Sequence, residues 1–402
     1  MRYSSIDLDL DSPQPRDADD GEGWSDGALI VARRGGVPVG SALVHGPRPD
    51  SSRLTELISC REGEAAGPGD GAPVAITVAI CTRNRAELLA RCLASIAESV
   101  AHAGAEVDAD VLVIDNASTD DRTVHTARTF GAQVHRELVP GLDVARNRAV
   151  RAARGTVLAF VDDDVVVDPT WLRTLSRTMR ANPAALAVTG GVIALRVDTP
   201  AQVEFERSGG FFKGWSAGAV EARTHSDLPF NPSIGVGCNM AFRRAAFEVT
   251  GLFDEALDTG RPLAGGGDLD MLIRMAMAGV VIYEPSALVR HEHRQTFDDL
   301  RRQYFSWGKS WGAVLHKWYR TSSRHRRVIR GVAVHSVRHY VHDLVLPTKG
   351  RRFRSTHAAL QLFGFVVGAT AAYPRSRRRM EQRRRAVAPT PIDTQPDLDL
   401  TA

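Results

Sequence analysis

Between residues 74 and 161 the chain alternates short β-rich runs with stretches of helical period, and this alternation constrains its fold more than any other feature of its 402 residues. Residues 74–81 form an unbroken β-rich run, after which Leu88, Leu89, Cys92, Leu93 and Ile96 repeat at helical spacing. The pattern continues with a strand over 111–114, a helix over about 118–130, a short strand near 133–135, a helix over 142–153 and a strand over 156–161. Asn84, with Glu87 three residues on, predicts an N-cap and capping box for the first helix. Strands joined by helices imply a parallel sheet buried on both faces, and such sheets place ligands at the carboxyl ends of their strands. The predicted class is therefore α/β, a mostly parallel sheet flanked by helices. Its chemistry is sought just after Cys81, Ile114 and Val161.

The rest of the chain divides around this block. Residues 1–27, rich in Asp, Ser and Pro, predict a disordered acidic leader. Residues 28–62 hold two apolar runs flanking Arg33-Arg34-Gly35-Gly36, the pattern of a small β-hairpin, and 63–73, dense in Gly, Ala and Pro, predict a linker. Residues 74–190 and 191–311 then form two halves of one larger domain, followed by a basic helical segment over 312–385 and a disordered tail over 386–402. The net charge of +4 hides a polarity: residues 290–385 carry 23 Arg or Lys against five acids, the last seventeen residues sum to −3, and the remainder sums to −11. Cys60, Cys81, Cys92 and Cys238 lie at no paired spacing, which argues against a disulfide framework or a zinc knuckle and fits a reducing cytosol. The N-terminal residues lack the apolar run of a secretory signal. The uncharged residues 358–373 would reach only ~24 Å as a helix against a hydrocarbon core of ~30 Å, so an interfacial helix is expected rather than a span.

At the end of the strand over 156–161 stand Asp162, Asp163 and Asp164. Side chains two apart on an extended segment point the same way, so Asp162 and Asp164 converge while Asp163 faces elsewhere. Two hard oxygen donors at a strand end suit Mg2+ or Mn2+ bridging a diphosphate. The same acids would also suit a helix N-terminus, because Asp168-Pro169 follows. Polar groups gather at the neighbouring strand ends too, as Thr82-Arg83-Asn84-Arg85 and Asp115-Asn116-Ala117-Ser118.

The stretches VAICTRNRAELLARCLASI, VLVIDNASTDD, GLDVARNRAV and GTVLAFVDDDV resemble, in order and spacing, the nucleotide-binding half of family 2 glycosyltransferases, which have the GT-A fold. The resemblance implies that Asp115 accepts a hydrogen bond from the donor's nucleobase, with Thr82 and Arg85 in the same pocket. It puts Arg146 and Asn147 near the nucleoside or diphosphate, Asp162 at the ribose or metal with Asp163 in the donor site, and Asp164 as principal ligand of Mn2+ or Mg2+. Downstream, residues 237–244 (GCNMAFRR) and 251–255 (GLFDE) look like the family's acceptor side. Gly265-Gly266-Gly267-Asp268-Leu269-Asp270 then opens a helix. Relatives often read Glu-Asp where this chain has Gly267-Asp268, and the resemblance makes Asp268 the general base that takes the acceptor hydroxyl's proton. Capping of the helix is its alternative role. Asp270, two residues further along a helix, is expected to point away from Asp268. In His291-Glu292-His293, reached by a short loop after a strand over 280–283, His291 is the candidate third metal ligand by the same resemblance; a surface histidine without metal is the alternative. Residues 303–307 (QYFSW) resemble the Gln-x-x-Arg-Trp motif of processive relatives, with Ser306 in place of Arg, which argues against a polymerase. Tyr304, Trp307 and Trp311 are expected to wall the acceptor site or touch lipid.

Within 326–346, Val334, Val337, Val341 and Leu344 make an apolar stripe on an otherwise basic helix, and arginines at 351–354 and 375–385 bracket the uncharged segment. Such clusters suit the anionic cytoplasmic leaflet of a membrane, at ~1 kcal/mol per cation near the surface, whereas no nucleic-acid-binding module is recognisable. The reading is a metal-dependent inverting glycosyltransferase, cytoplasmic and peripherally bound to the inner face of the cell membrane. It moves a sugar from a nucleoside diphosphate sugar to a hydroxyl acceptor, lipid-linked or not, in cell-envelope polysaccharide or glycolipid assembly. A sugar-phosphate nucleotidyltransferase, one alternative, would carry a Gly-rich, Lys-bearing loop where Cys81-Thr82-Arg83-Asn84 stands. A non-catalytic membrane adaptor of the same fold is the other, supported by the missing Glu before Asp268.

Overall fold

The structure, a computed structural model, describes residues 3–11, 26–49, 53, 56–60, 72–221, 234–345 and 352–387. Expectations that fall on residues 12–25, on the linker over 61–71, on the side chains of 351–354 and on the tail beyond 387 lie outside the described residues. The N-terminal region is a four-stranded sheet in the order β1-β2-β3-β4: Ser4–Asp9 (β1), Gly27–Arg34 (β2), Val37–His45 (β3) and Ser59–Cys60 (β4). The expected hairpin is β2 and β3, turning at Gly35 and Gly36, both with positive φ. The leader expected to be disordered instead supplies β1, which pairs in parallel with β2. Its alternation places Ile6 and Leu8 in the core while Asp7 and Asp9 face outward.

The alternating block folds as its periods require: Val74–Thr82 (β5), Ala86–Ala103 (α1), Val107–Asn116 (β6), Arg122–Thr129 (α2), Gln133–Glu137 (β7), Leu142–Ala152 (α3) and Val157–Asp162 (β8). Next come Val165–Val167 (β9), Trp171–Ala181 (α4), Ala185–Ala194 (β10), Pro200–Arg207 (α5), Gly218–Val220 (β11), Asn239–Arg243 (β12), Ala246–Thr250 (α6), Gly267–Ala278 (α7) and Val280–His291 (β13). Strands β5 to β13 form one nine-stranded sheet in the order β11-β13-β10-β12-β8-β5-β6-β7, with β9 against β13. The sheet is parallel through β8, β5, β6 and β7. It is parallel again between β10 and β13, whereas β12, β11 and β9 run antiparallel to their neighbours, so most of the paired residues are parallel, as expected. The two faces of β5 sort by the period of two: Ile76, Val78 and Ile80 pack with Leu89, Ile96, Trp171 and Leu175 on one side. On the other, Ala79 joins Leu112, Ala145, Ala149, Met271 and Leu272.

Asn84 does not cap α1. It sits at φ 56 and its side-chain oxygen accepts from the Thr119 backbone N–H at 2.8 Å, while Arg85 is the residue before the helix. Glu87 pairs instead with Arg122. The small N-terminal sheet docks on the main one through buried charge: Arg33 donates to both oxygens of the buried Asp168, and Arg290 donates to Asp7 at 2.8 Å. Phe297–Thr321 (α8) crosses position 311, so the two expected regions on either side share one helix. Arg326–Val345 (α9), Arg352–Val367 (α10), a π-helical turn at Gly368–Ala372 and Tyr373–Ala386 (α11) complete the described chain. Among the described residues no helix is long and apolar enough to cross a membrane. Residues 358–373 bury one side against α8, and α10 leaves Phe363 and Val366 exposed on the other.

Candidate active site

The parallel register aligns the strand ends that sequence singles out. Thr82 lies opposite Asp115, and Cys81 lies between Ile114 on one side and Asp162 on the other. Asp115 is fully buried; one oxygen accepts from the Ser118 N–H, and Oδ2 has only a long ion pair, 3.5 Å, from Arg136. A buried carboxylate oxygen without a hydrogen bond costs stability unless a ligand donor completes it. Asp115 is thus suited to the expected base contact, and Arg136 on β7 joins it, a residue that sequence did not single out.

The acidic triplet leaves β8 and turns into β9. Asp163, expected to face elsewhere, accepts from the Thr82 hydroxyl at 2.6 Å and from Arg85 at 2.9 Å; Arg85 also reaches Asp164 at 3.4 Å. Asp164 Oδ1 is buried and has no hydrogen bond. Facing it at 3.4 Å is His291 Nε2. Contrary to expectation, His291 is not in a loop past its strand: β13 runs through it, and pairing of His291 with Val165 sets the imidazole beside the triplet. The ring is buried rather than at the surface, and burial holds its pKa down to about 4, which leaves it neutral. Its Nδ1 meets His293, which in turn meets Glu206 at 2.6 Å.

A second acidic group surrounds Arg146. This guanidinium donates to Asp143 at 3.0 Å and lies 3.6 Å from Asp258. Burial works against its charge, but Asp143 and Asp258 outweigh it and hold its pKa above the usual arginine range. Burial, then the repulsion of Asp258, pushes Asp143 well up; burial also raises Asp258 to about 6 and, with the neighbouring Asp164, raises Asp162 to about 7. Asp268 contributes to all three upward shifts, so it belongs to the same field. Six carboxylates, Asp143, Asp162, Asp163, Asp164, Asp258 and Asp268, therefore face two guanidiniums, Arg85 and Arg146. Such an imbalance in a buried place calls for a further cation.

Asp268 lies in the first turn of α7, and its Oδ2 accepts from the Gly237 N–H at 3.0 Å. A Cβ at Gly237 would fall 2.5 Å from that oxygen, so glycine is what lets the carboxylate seat there. At Gly267, where a Glu was noted as absent, a Cβ would fall 1.7 Å from Asp143 Oδ2: a carboxylate from α3 fills that space. Asp270 points away as expected, accepting from Lys317 and from the Trp318 and Arg274 side chains. Asn147 departs from expectation. Both hydrogens of its amide go to Phe253 O and Glu255, and its oxygen accepts from Phe253 N, so it clamps the 253–255 segment instead of facing a donor. Tyr304 and Trp307 pack with Phe205 and Phe211 beneath His293, forming an aromatic floor. Asp143 and Asp258 were not singled out in the sequence; the one signal for Asp143 is its place in the first turn after Gly141.

The residues fit a divalent cation in chemistry: a buried, unbonded carboxylate oxygen, a neutral imidazole and surplus negative charge. Among the described residues no three His, Cys, Asp or Glu side chains already form a closed cage. Residues 77–251 match the family model described as glycosyl transferase family 2. This segment belongs to that family. The match spans β5 to α6 and stops before Asp268 and His291. A pre-mycofactocin glycosyltransferase of Mycobacterium tuberculosis is 28% identical over 244 residues, 58% of this chain and 46% of that protein. The succinoglycan biosynthesis protein ExoM of Rhizobium meliloti is 33% identical over 43% of this chain and 53% of its own length. A glucosyl-dolichyl phosphate glucuronosyltransferase of Haloferax volcanii is 30% identical over 42% and 54%. The chain thus spans about half the length of these curated relatives. Among solved structures, the mannosyltransferase PcManGT of Pyrobaculum calidifontis, in complex with GDP-Man and Mn2+, superposes with a TM-score of 0.49 at 18% identity, covering 76% of this chain and 91% of that one.

Proposed function

We propose that the chain is an inverting glycosyltransferase that uses Mn2+ or Mg2+ to transfer a sugar from a nucleoside diphosphate sugar to a hydroxyl acceptor. The observation that carries this reading is Asp164 Oδ1, buried, without a hydrogen bond and facing the neutral His291 ring, in a pocket with surplus carboxylates. Asp164 and His291, with Asp162, would hold the metal, which supplies Lewis-acid neutralisation of the leaving diphosphate. The protein's own groups do the remainder. Asp115 accepts from the nucleobase, while Thr82 and Arg85 fix Asp163 and aim the triplet. Asp268, anchored by Gly237, takes the acceptor proton as the oxygen attacks the face of the anomeric carbon opposite the nucleotide. Arg146, locked between Asp143 and Asp258, keeps the segment before Asp268 in place.

Two relatives' names, one for succinoglycan biosynthesis and one for a dolichyl phosphate-linked glucose, support an acceptor in cell-envelope polysaccharide or glycolipid assembly. Exposed Val334, Val341 and Leu344 on the basic helix α9 support peripheral contact with the anionic inner face of the membrane. Two variants test the site. Asp164→Asn is expected to abolish saturable Mn2+ binding in calorimetry, and unchanged Mn2+ affinity would refute the metal assignment. Asp268→Asn should keep donor affinity while transfer falls by about 100-fold, scored by nucleotide release with UDP-, GDP- and dTDP-sugars. Full activity in that variant would remove Asp268 from the mechanism.

A further inference from the structure

A cavity of about 670 Å³ opens between the Arg261-Pro262 loop, α8, α10 and α11. Five of its lining residues are cations, Arg261, Lys309, Arg375, Arg378 and Arg379, and none is an acid. Three separate parts of the chain deliver them, the loop at Arg261, α8 with Lys309, and an exposed face of α11 with the three other arginines. Among the described residues none of the five has a carboxylate partner. Burial and then the nearby Arg261 hold the Lys309 pKa down. Cations brought together without counter-charge repel one another, so their convergence calls for an anionic ligand. Arg375, Arg378 and Arg379 stand at i, i+3 and i+4, on one face of α11.

The far wall is apolar. Phe305 lines the cavity and its ring lies 5.6 Å from that of Phe363, which is 62% exposed; Val366, 52% exposed, adjoins the lining residue Val367. A strip of exposed hydrocarbon therefore leads away from the cationic mouth. The cavity also borders the catalytic loops. The hydroxyls of Thr259 and Ser376 meet at 2.8 Å, and Arg383 donates to the carbonyls of Pro140 and Thr259, so α11 is pinned to the segments carrying Asp143 and Asp258.

We propose that this cavity binds the phosphate or diphosphate ester group of an amphiphile, with its apolar tail along Phe363 and Val366. Its assignment as the acceptor's anchoring site rests on the transferase reading above, but the binding itself requires no turnover. The test is co-sedimentation of the full chain with phosphatidylcholine vesicles containing either phosphatidic acid, a phosphate monoester, or phosphatidylserine at matched surface potential. The wild type should prefer phosphatidic acid by about tenfold, and R378Q/R379Q should lose about 30-fold while the equal charge change R151Q/R154Q, at exposed positions at and just past the end of α3, away from α9 and α11, costs less than about threefold. Equal losses in both variants, or equal binding to both lipids, would overturn the proposal in favour of diffuse attraction. Calorimetry with soluble pyrophosphate separates the two sources of phosphate: affinity matching that for the vesicles would show that no tail is read and overturn the amphiphile. A protein that binds as expected yet transfers no sugar would refute the transferase reading alone.

Discussion

Helices α8 and α10 touch backbone to backbone, and the sign of one substitution tests that contact. Gly308 and Gly312 on α8 face Gly364 and Gly368 at the end of α10, both pairs four residues apart. A Cβ on Gly312 would lie 2.2 Å from the Phe365 carbonyl oxygen and 2.7 Å from the Ala369 nitrogen; on Gly368 it would lie 1.9 Å from the Lys309 oxygen. Ordinary contact begins near 3.4 Å, so Gly312→Ala requires the helices to part by the difference from 2.2 Å, about 1.2 Å. A gap of that size forfeits a quarter to a half or more of the dispersion energy of atoms across the crossing, and overpacking of this kind costs ~1–3 kcal/mol. Against this stands the gain of ~0.8–1 kcal/mol from replacing glycine by alanine in a helix interior. The net expectation is a loss of up to about 2 kcal/mol. Gly331, inside α9 with nothing within 4 Å of its Cβ position, is the matched control, and Gly331→Ala should stabilise by ~0.5–1 kcal/mol. Urea unfolding followed by tryptophan fluorescence reads the crossing directly, since Trp307, Trp311 and Trp318 lie on α8. The double variant G312A/G368A should cost less than the sum of its parts, because the first substitution already opens the space. If Gly312→Ala stabilises as Gly331→Ala does, the helices are not in contact and the reasoning fails.

Removing Arg33 leaves the buried Asp168 without its cation, so Arg33→Ala should lower stability by ~3 kcal/mol in urea unfolding; a change below the error of the measurement would mean that the N-terminal sheet is not docked there. His357, stacked 3.9 Å from Tyr304, has its pKa held down to about 4 by burial. The unfolded chain protonates it first, near its ordinary 6.5, so stability is complete above that pH and falls as pH drops towards 4. His357→Phe should flatten that part of the thermal-stability profile, and a profile unchanged by the substitution would exclude His357 as its source.

Legibility followed the range of the interactions. Strands β5 to β8 were readable because parallel strands buried on both faces appear as continuous apolar runs, and the helices between them carry their own period. β1 was hidden by composition: its Ile6-Asp7-Leu8-Asp9 alternation is a strand signal, but its aspartates read as leader, and its partner β2 lies across residues that carry no pairing cue. The antiparallel strands β9 and β11, three residues each, are too short to show a period. Asn84 has the side chain of a helix cap, yet the contact with Thr119 from the next strand–helix unit takes it into the left-handed region instead. The glycines of the α8–α10 crossing carried a visible four-residue spacing, but only the partner helix reveals why no side chain fits.

The candidate site divides in the same way. The acidic triplet follows from local pattern and Asp268 from the family resemblance, whereas His291 reaches Asp164 only because β9 folds back on β13, and no local feature fixes that register. Gly267 is the most instructive position. Read alone, it is a missing carboxylate and the best support for a protein without turnover. In three dimensions the carboxylate of Asp143 occupies the space, held by Arg146 and abutting the helix that presents Asp268. A carboxyl group therefore stands beside Gly267, supplied by α3 rather than by α7. Gly267 and Asp143 therefore constrain each other: any side chain at 267 must displace Asp143, and displacing Asp143 releases the arginine that holds Asp258.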